Sequence, residues 1–206
     1  YLQEAIADLA RDAEDIIANE GWGLMHIAET AAQVLDVQRV NIWWFSPDRR
    51  YLRCAESYDV RSAQHIAGEV LPVASYPGYV EALEGARVID AGNTADDQRT
   101  AELYGDYFQP QGIGALLDIP IRVEGRVAGV LSLAQVGGPR LWKDREIAFA
   151  GSLGDLVALA RTAALHRARE EQLHRQSYLD PLTGLFNWQH LQEQLERDVA
   201  ARGGTD

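Results

Sequence analysis

The stretch IGALLDIPIRVEGRVAGVLSLAQV, residues 113–136, decides the fold class. Two arms, Ile113 to Val123 and Arg126 to Val136, alternate on either side of Glu124-Gly125-Arg126, the pattern of an antiparallel hairpin. In the first arm Ala115, Leu117, Ile119, Ile121 and Val123 share one face, which predicts a sheet packed on a layer of helices. Asp118 is the odd residue of that arm. A carboxylate among apolar neighbours must find donors or stay protonated, either by capping loop amides or by meeting a ligand.

Upstream, Arg39-Val-Asn-Ile-Trp-Trp-Phe45 is β-branched and aromatic, and Ser46-Pro-Asp-Arg-Arg50 is turn chemistry before a second strand, Tyr51 to Tyr58. A short helix at Tyr79 to Leu83, a strand at Arg87 to Asp90, a polar loop from Ala91 to Gln98 and a helix through Leu103 and Phe108 lead to the hairpin. Downstream, Lys143 to about Tyr178 reads as one long helix without proline. Two phases compete along it. One takes Leu159, His166 and Leu173 with Leu156, Ala163, Glu170 and Ser177; the other takes Val157, Ala164, Glu171 and Tyr178 with Ala160, Arg167 and His174.

At the N-terminus a helix is expected from Leu2 to Asn19, broken by Gly21 and Gly23, with a second from Leu24 to Leu35. Leu2, Ile6, Leu9, Ala13 and Ile16 form a narrow apolar seam, which favours a partner helix over packing on the chain's own domain. The architecture expected is α+β: an antiparallel sheet with inserted helices, flanked by N- and C-terminal helices that form a dimer bundle or coiled coil.

Composition narrows the function. The chain has 206 residues, 47% of them hydrophobic, enough for one sizeable core and some appended helix. A net charge of −12 argues against nucleic acid or an anionic membrane as partner. The single cysteine, Cys54, excludes an internal disulfide and a multi-thiolate metal site, and fits a reducing, cytoplasmic compartment. No apolar run approaches the roughly 20 residues of a membrane span. With neither a starting Met nor a signal sequence, the expectation is an excised soluble fragment.

Five segments taken in order resemble a GAF domain, the small-molecule sensor module. They are Arg39-Val-Asn-Ile-Trp-Trp44, Tyr76-Pro-Gly-Tyr79, Gly112 to Ile121, Gly125-Arg-Val-Ala-Gly-Val-Leu131 and Val136-Gly-Gly-Pro-Arg-Leu-Trp142. The resemblance covers about Gly23 to Ala160 and implies a pocket on one sheet face under the inserted helices. By that analogy the roof is Tyr58 to Gln109. Its candidates are His65, Tyr76, Tyr79, Asp90, Arg99, Tyr104 and Tyr107, with Asp118 rising from the sheet. Each has a plainer alternative. The tyrosines can serve as amphipathic packing, and His65 has no second His or Cys near it in sequence with which to hold a metal or haem. Trp43, Trp44 and Trp142 are expected in the core or facing a helix.

Asp180-Pro-Leu-Thr-Gly-Leu-Phe-Asn187 resembles the opening motif of a GGDEF domain, the diguanylate cyclase fold, through Asp180, Leu182, Thr183, Gly184, Leu185 and Asn187. It departs at Trp188, where an Arg usually follows. Read physically, Asp180 is an N-cap before Pro181, Gly184 ends a turn and Asn187 caps the next helix. The resemblance implies a parent that joins two GTP into cyclic di-GMP with Mg²⁺. The metal-binding and guanine-reading residues of that family fall beyond Asp206, so this chain is expected to be non-catalytic, with no metal site. The implied layout is a dimerisation helix over 1–20, the sensor domain over 21–160, a signalling helix over 161–178 and the start of the cyclase domain over 179–206. Expected partners are a second copy, in parallel, and an unidentified small molecule. The alternatives are a ligand-free dimerisation scaffold beside a degenerate GGDEF domain and a redox enzyme, for which a single thiol supplies no resolving disulfide. The cyclic-nucleotide signature Asn-Lys-x-x-x-Phe-x-x-x-Asp-Glu is missing from the sequence, and Cys54 sits mid-strand rather than on a pigment-binding loop.

Overall fold

The computed structural model describes residues 2–178, and side chains through residue 173. The chain divides into two compact units, Tyr1–Thr162 and Ala163–Asp206. The first holds a seven-stranded sheet. Of the second, the last part of one helix is described. The GGDEF-like motif, Asp180 to Asn187, lies outside the described residues, as does the whole segment expected over 179–206.

The hairpin forms as its alternation dictates. β6 (Ile113–Val123) pairs antiparallel with β7 (Arg126–Val136), and Glu124 and Gly125 join them with φ of 51° and 79°. Positive φ at both central residues is the primed turn whose twist matches the strands, and glycine there carries no Cβ penalty. β1 (Arg39–Phe45) pairs with β7 on one side and β2 (Tyr51–Asp59) on the other. Short strands β3 (Gln64–Ile66) and β4 (Val70–Pro72) both pair with β2, and β5 (Ile89–Ala91) pairs with β6. The order is β3-β2-β1-β7-β6-β5, every pairing antiparallel.

Each sheet face carries its own core. On one, Ala115, Leu117, Ile119 and Ile121 of β6 pack with Val40, Ile42 and Trp44 of β1 under the flanking helices. On the other, Ile113, Leu116, Val130, Ala134 and Trp43 meet the inserted segments. Trp43, Trp44 and Trp142 are all buried. The inserted segments are α4 (Pro77–Gly85), α5 (Ala101–Leu103), a π turn over Tyr104–Phe108 and α6 (Gln109–Gln111). They form a roof.

The N-terminal segment departs from its pattern. The expected single helix is two, α1 (Leu2–Arg11) and α2 (Ala13–Ala18), and α3 runs Glu20–Leu35 with Gly21 and Gly23 inside it. The break falls at Asn19, whose side chain accepts from the Trp22 N–H at 3.2 Å and so caps α3. Gly23 serves packing rather than breaking: a Cβ there would lie 2.7 Å from the Ile16 carbonyl oxygen. The seam is corrected accordingly. Leu9 and Ile16 are 3% and 0% exposed within their own domain's core, and Leu2 packs against that core, while Ile6 is 41% exposed. Ala13 is half-buried.

α7 (Asp144–Tyr178) is the long helix expected downstream. Over Asp144–Leu173 it is long and apolar enough to cross a membrane by length and composition, contrary to the reading that no such run exists. Its Phe149, Ala150, Leu153, Val157 and Ala160 are buried in the helix-side core.

Candidate functional site

Strand register assembles a feature that no single segment of sequence displays. Asp118 on β6 stands opposite Ser132 on β7; Ser132 stands opposite Asn41 on β1; Asn41 stands opposite Ser57 on β2. Register partners on adjacent strands share a face and lie about 5 Å apart. These four polar side chains therefore form one row across the roofed face. Asp118, Asn41 and Ser132 are 0%, 2% and 7% exposed. Asn41 Oδ1 and Asp118 Oδ1 have no hydrogen-bond partner, a state that native interiors rarely tolerate.

The roof meets this row through rings. Pro77 at the first turn of α4 starts that helix, and the Glu102 carboxylate, reaching from α5, accepts from the N–H groups of Gly78 (2.9 Å) and Tyr79 (3.2 Å). Two roof segments are thereby tied at the residue that matters. The Tyr79 hydroxyl donates to Asp118 Oδ2 at 2.6 Å. The π turn turns two consecutive rings inward, Tyr107 and Phe108, 5.6 Å apart edge to face, and Tyr107 meets Trp43 at 6.1 Å in the same manner. The space left between roof and sheet is about 20 Å³, bounded by Trp43, Tyr79, Leu103, Tyr107, Leu116 and Ser132, room for a single water.

Burial sets the electrostatics. It pushes the Asp118 carboxyl up to about 6, with the Ser132 and Tyr79 hydroxyls acting against it. Burial also raises the Tyr79 phenol well above its ordinary value, and the Asp118 charge adds to the rise, so Tyr79 is a donor throughout the physiological range. Burial, helped by Glu69 and Glu56, pushes the Cys54 thiol up to about 12, which makes it inert as a nucleophile.

Of the sequence-derived candidates, Tyr79, Tyr107 and Asp118 converge, and Tyr76 is buried in the same roof-side core with Tyr104 packed against it. Asp118 caps no loop amide; its partner is a side chain on the roof. The other candidates are not at this site. His65 belongs to the helix-side face of β2 and β3: its Nδ1 lies 2.5 Å from Glu56 and its Nε2 3.1 Å from Glu29 on α3, with its ring stacked on Tyr58 at 4.7 Å. Its analogy with the roof fails because β2 bulges between the Ile42 and Trp43 pairs, which turns Glu56 toward the helices. Burial lowers its pKa, but the bonds to Glu56 and Glu29 outweigh that and raise it overall. Asp90 and Arg99 form a surface ion cluster with Asp97, Arg99 lying 3.1 Å from Asp90 and 2.6 Å from Asp97. Among the described residues no group of three His, Cys, Asp or Glu side chains is placed to hold a metal ion.

Asn41 and Ser132 escaped the sequence reading. Each is one polar residue in an apolar strand, a signal too common to single out until register aligns them with Asp118.

A sequence-family model described as GAF domain matches residues 24–160. Solved structures share the fold. The blue-light absorbing form of the PixJ GAF domain from Thermosynechococcus elongatus superposes with a TM-score of 0.60 at 18% identity, covering 80% of this chain and 95% of that one. A segment of a methyl-accepting chemotaxis protein gives 0.62 at 20% identity, covering 79% and 99%. The GAF domain of an Acinetobacter phosphoenolpyruvate-protein phosphotransferase gives 0.60 at 16%, covering 79% and 94%. No curated protein matches the chain.

Proposed function

The chain belongs to the GAF family of sensor domains, and we propose that it is the ligand-sensing and dimerising regulatory module of a diguanylate cyclase. The observation that carries this reading is the single helix α7, which begins against the sheet and is helical through Tyr178, and the GGDEF-like motif beginning at Asp180 follows it in the sequence. Mg²⁺ and GTP would serve only the cyclase domain of that parent. Two GTP half-sites must face each other, which a parallel homodimer supplies, with Ile6 the seam residue free to meet a second copy.

Coupling between pocket and helix has a short route. Asp118 faces the roof, and the next residue, Ile119, faces α7. A Cβ on Gly154 would lie 2.6 Å from Ile119 Cγ2, so strand and helix touch without slack there. A ligand that moves Asp118 pushes α7 through Ile119.

The test is to purify the intact protein that carries this chain and assay it with GTP and Mg²⁺. Cyclic di-GMP should form, and Asp118→Asn should change its rate. A purified intact protein that forms none would end the cyclase reading. One observation favours a second reading, the ligand-free scaffold: the roof and sheet leave only about 20 Å³. Native mass spectrometry of the domain taken from cell extract separates the two, since a scaffold carries no added mass.

A further inference from the structure

We propose that the Asn41–Ser132–Asp118 row and the rings above it bind a small organic cation carrying N–H donors, of the alkylammonium or amidinium class. The inference rests on the pocket reading above and gives that pocket its ligand chemistry. Three observations converge on a cation. The buried row offers two acceptor oxygens without a hydrogen-bond partner, Asn41 Oδ1 and Asp118 Oδ1, which a ligand rich in donors can satisfy. The walls are aromatic, with Trp43, Tyr79, Tyr107 and Phe108 in one cluster, and ring faces attract a desolvated cation. Among the described residues, the Asp118 charge is set by burial and by the Ser132 and Tyr79 hydroxyls, with no Lys, Arg or His among the groups that act on it. The guanidinium groups of three arginines on the sheet and roof segments are engaged elsewhere: Arg39 with Asp59 and Gln111, Arg99 with Asp97 and Asp90, and Arg122 with the carbonyls of Glu84 and Ala86.

An anion would meet the Asp118 carboxylate in a medium where like charges repel strongly, and an acyl chain would leave both oxygens unpaired. The tight space fixes how the ligand enters. Tyr79 already supplies one donor to Asp118 Oδ2, so an entering N–H must displace that hydroxyl or bind beside it. Displacement frees Tyr79, at the start of α4, from the sheet, while Arg122 still holds the end of that helix. Tyr79 is therefore an internal competitor that keeps the roof shut until a cation replaces it.

The test uses this chain with benzamidine and n-butylamine as cations, benzamide as the neutral isostere and benzoate as the anion. The readouts are thermal unfolding and titration calorimetry at pH 7.5. The cations should raise the melting temperature saturably, while benzamide and benzoate should not. Asp118→Asn should weaken benzamidine binding at least tenfold, and Asn41→Leu by several-fold. Tyr79→Phe should tighten it several-fold, since the internal donor is gone; this outcome does not depend on how well Asp118→Asn folds. If benzamide or benzoate binds as well as benzamidine, with the same dependence on Asp118, the cation class is overturned while the pocket reading stands. No saturable response to either cation, or a Tyr79→Phe protein that binds no more tightly, also overturns it. The cyclase reading is judged separately by cyclic di-GMP formation.

Discussion

The Tyr79 hydroxyl, on a roof helix, donates at 2.6 Å to Oδ2 of Asp118, a fully buried carboxyl in the middle of the sheet. This bond ties the start of α4 to the sheet, and the second Asp118 oxygen has no hydrogen-bond partner.

Its pH dependence follows from burial. The Asp118 carboxyl is pushed from 3.8 up to about 6, so the folded state holds a proton that the unfolded chain has released. That contribution to stability is full below the unfolded value and is lost as pH rises through about 6. At about 1.4 kcal/mol per unit the loss is on the order of 3 kcal/mol. Urea unfolding at pH 4.5 and pH 7 should show about two thirds of it, and Asp118→Asn, which carries no titrating proton, should flatten the difference. An equal slope in both proteins would mean that Asp118 is ionised throughout.

The sheet was legible because its signals are local. Glu124-Gly125 and the alternating arms fix β6 and β7 to the residue, and the two faces of β6 go to two different cores as the alternation requires. Asp118 stood out because it was the one carboxylate in that arm, set among apolar neighbours. What the sequence hid depends on pairing. The Asn41–Ser132–Asp118 row exists only once three strands are in register, and the place of His65 turns on a bulge in β2. Asn19 and Gly23 misled for a related reason. A glycine that breaks a helix and one that admits a neighbouring backbone read alike until Ile16 is known to lie against it.

His65 titrates in a different window. It lies between Glu56 and Glu29, with Tyr58 stacked on its ring, and those two carboxylates raise its pKa above 6.5 against the effect of burial. A group whose folded pKa is raised contributes stability that is complete below its unfolded value and is lost as pH rises through the folded one. His65→Gln should therefore be destabilising at pH 6 and nearly neutral at pH 9, as read by the urea midpoint. The reverse order would show that the ring is held neutral.

The N-terminal seam divides into core and surface positions. Ile16 is fully buried, so Ile16→Ala should cost about 2–5 kcal/mol in urea unfolding, as large-to-small core changes do. Ile6 is 41% exposed, and Ile6→Glu should leave the unfolding free energy within about 0.5 kcal/mol when measured on dilute protein. In the proposed parallel dimer the same Ile6→Glu change should lower the light-scattering mass at micromolar concentration from two chains toward one. A wild-type mass of one chain under those conditions would remove the dimer.

The phase of α7 is where fold and proposed output meet. Of the two competing registers, the one beginning Val157 and Ala160 starts with residues wholly buried in the helix-side core. The other has Leu156 partly buried against the same core, but its Leu159 is 53% exposed and Leu173, two heptads on, is 59% exposed. The fold thus occupies one register more fully at its start, and in the proposed dimer the other would face the second copy, a bias that a shift at Ile119 could reverse. In the intact protein, inserting two residues after Arg169 turns whatever follows by ~200°, at about 100° per residue. If the proposed cyclase reading holds, cyclic di-GMP production should then change strongly, because the two cyclase domains would no longer face each other as before. Seven inserted residues preserve the heptad phase and should leave ligand control largely intact. Production assayed with GTP and Mg²⁺ that is unaltered by both insertions would mean that α7 transmits no rotation and serves as a passive tether.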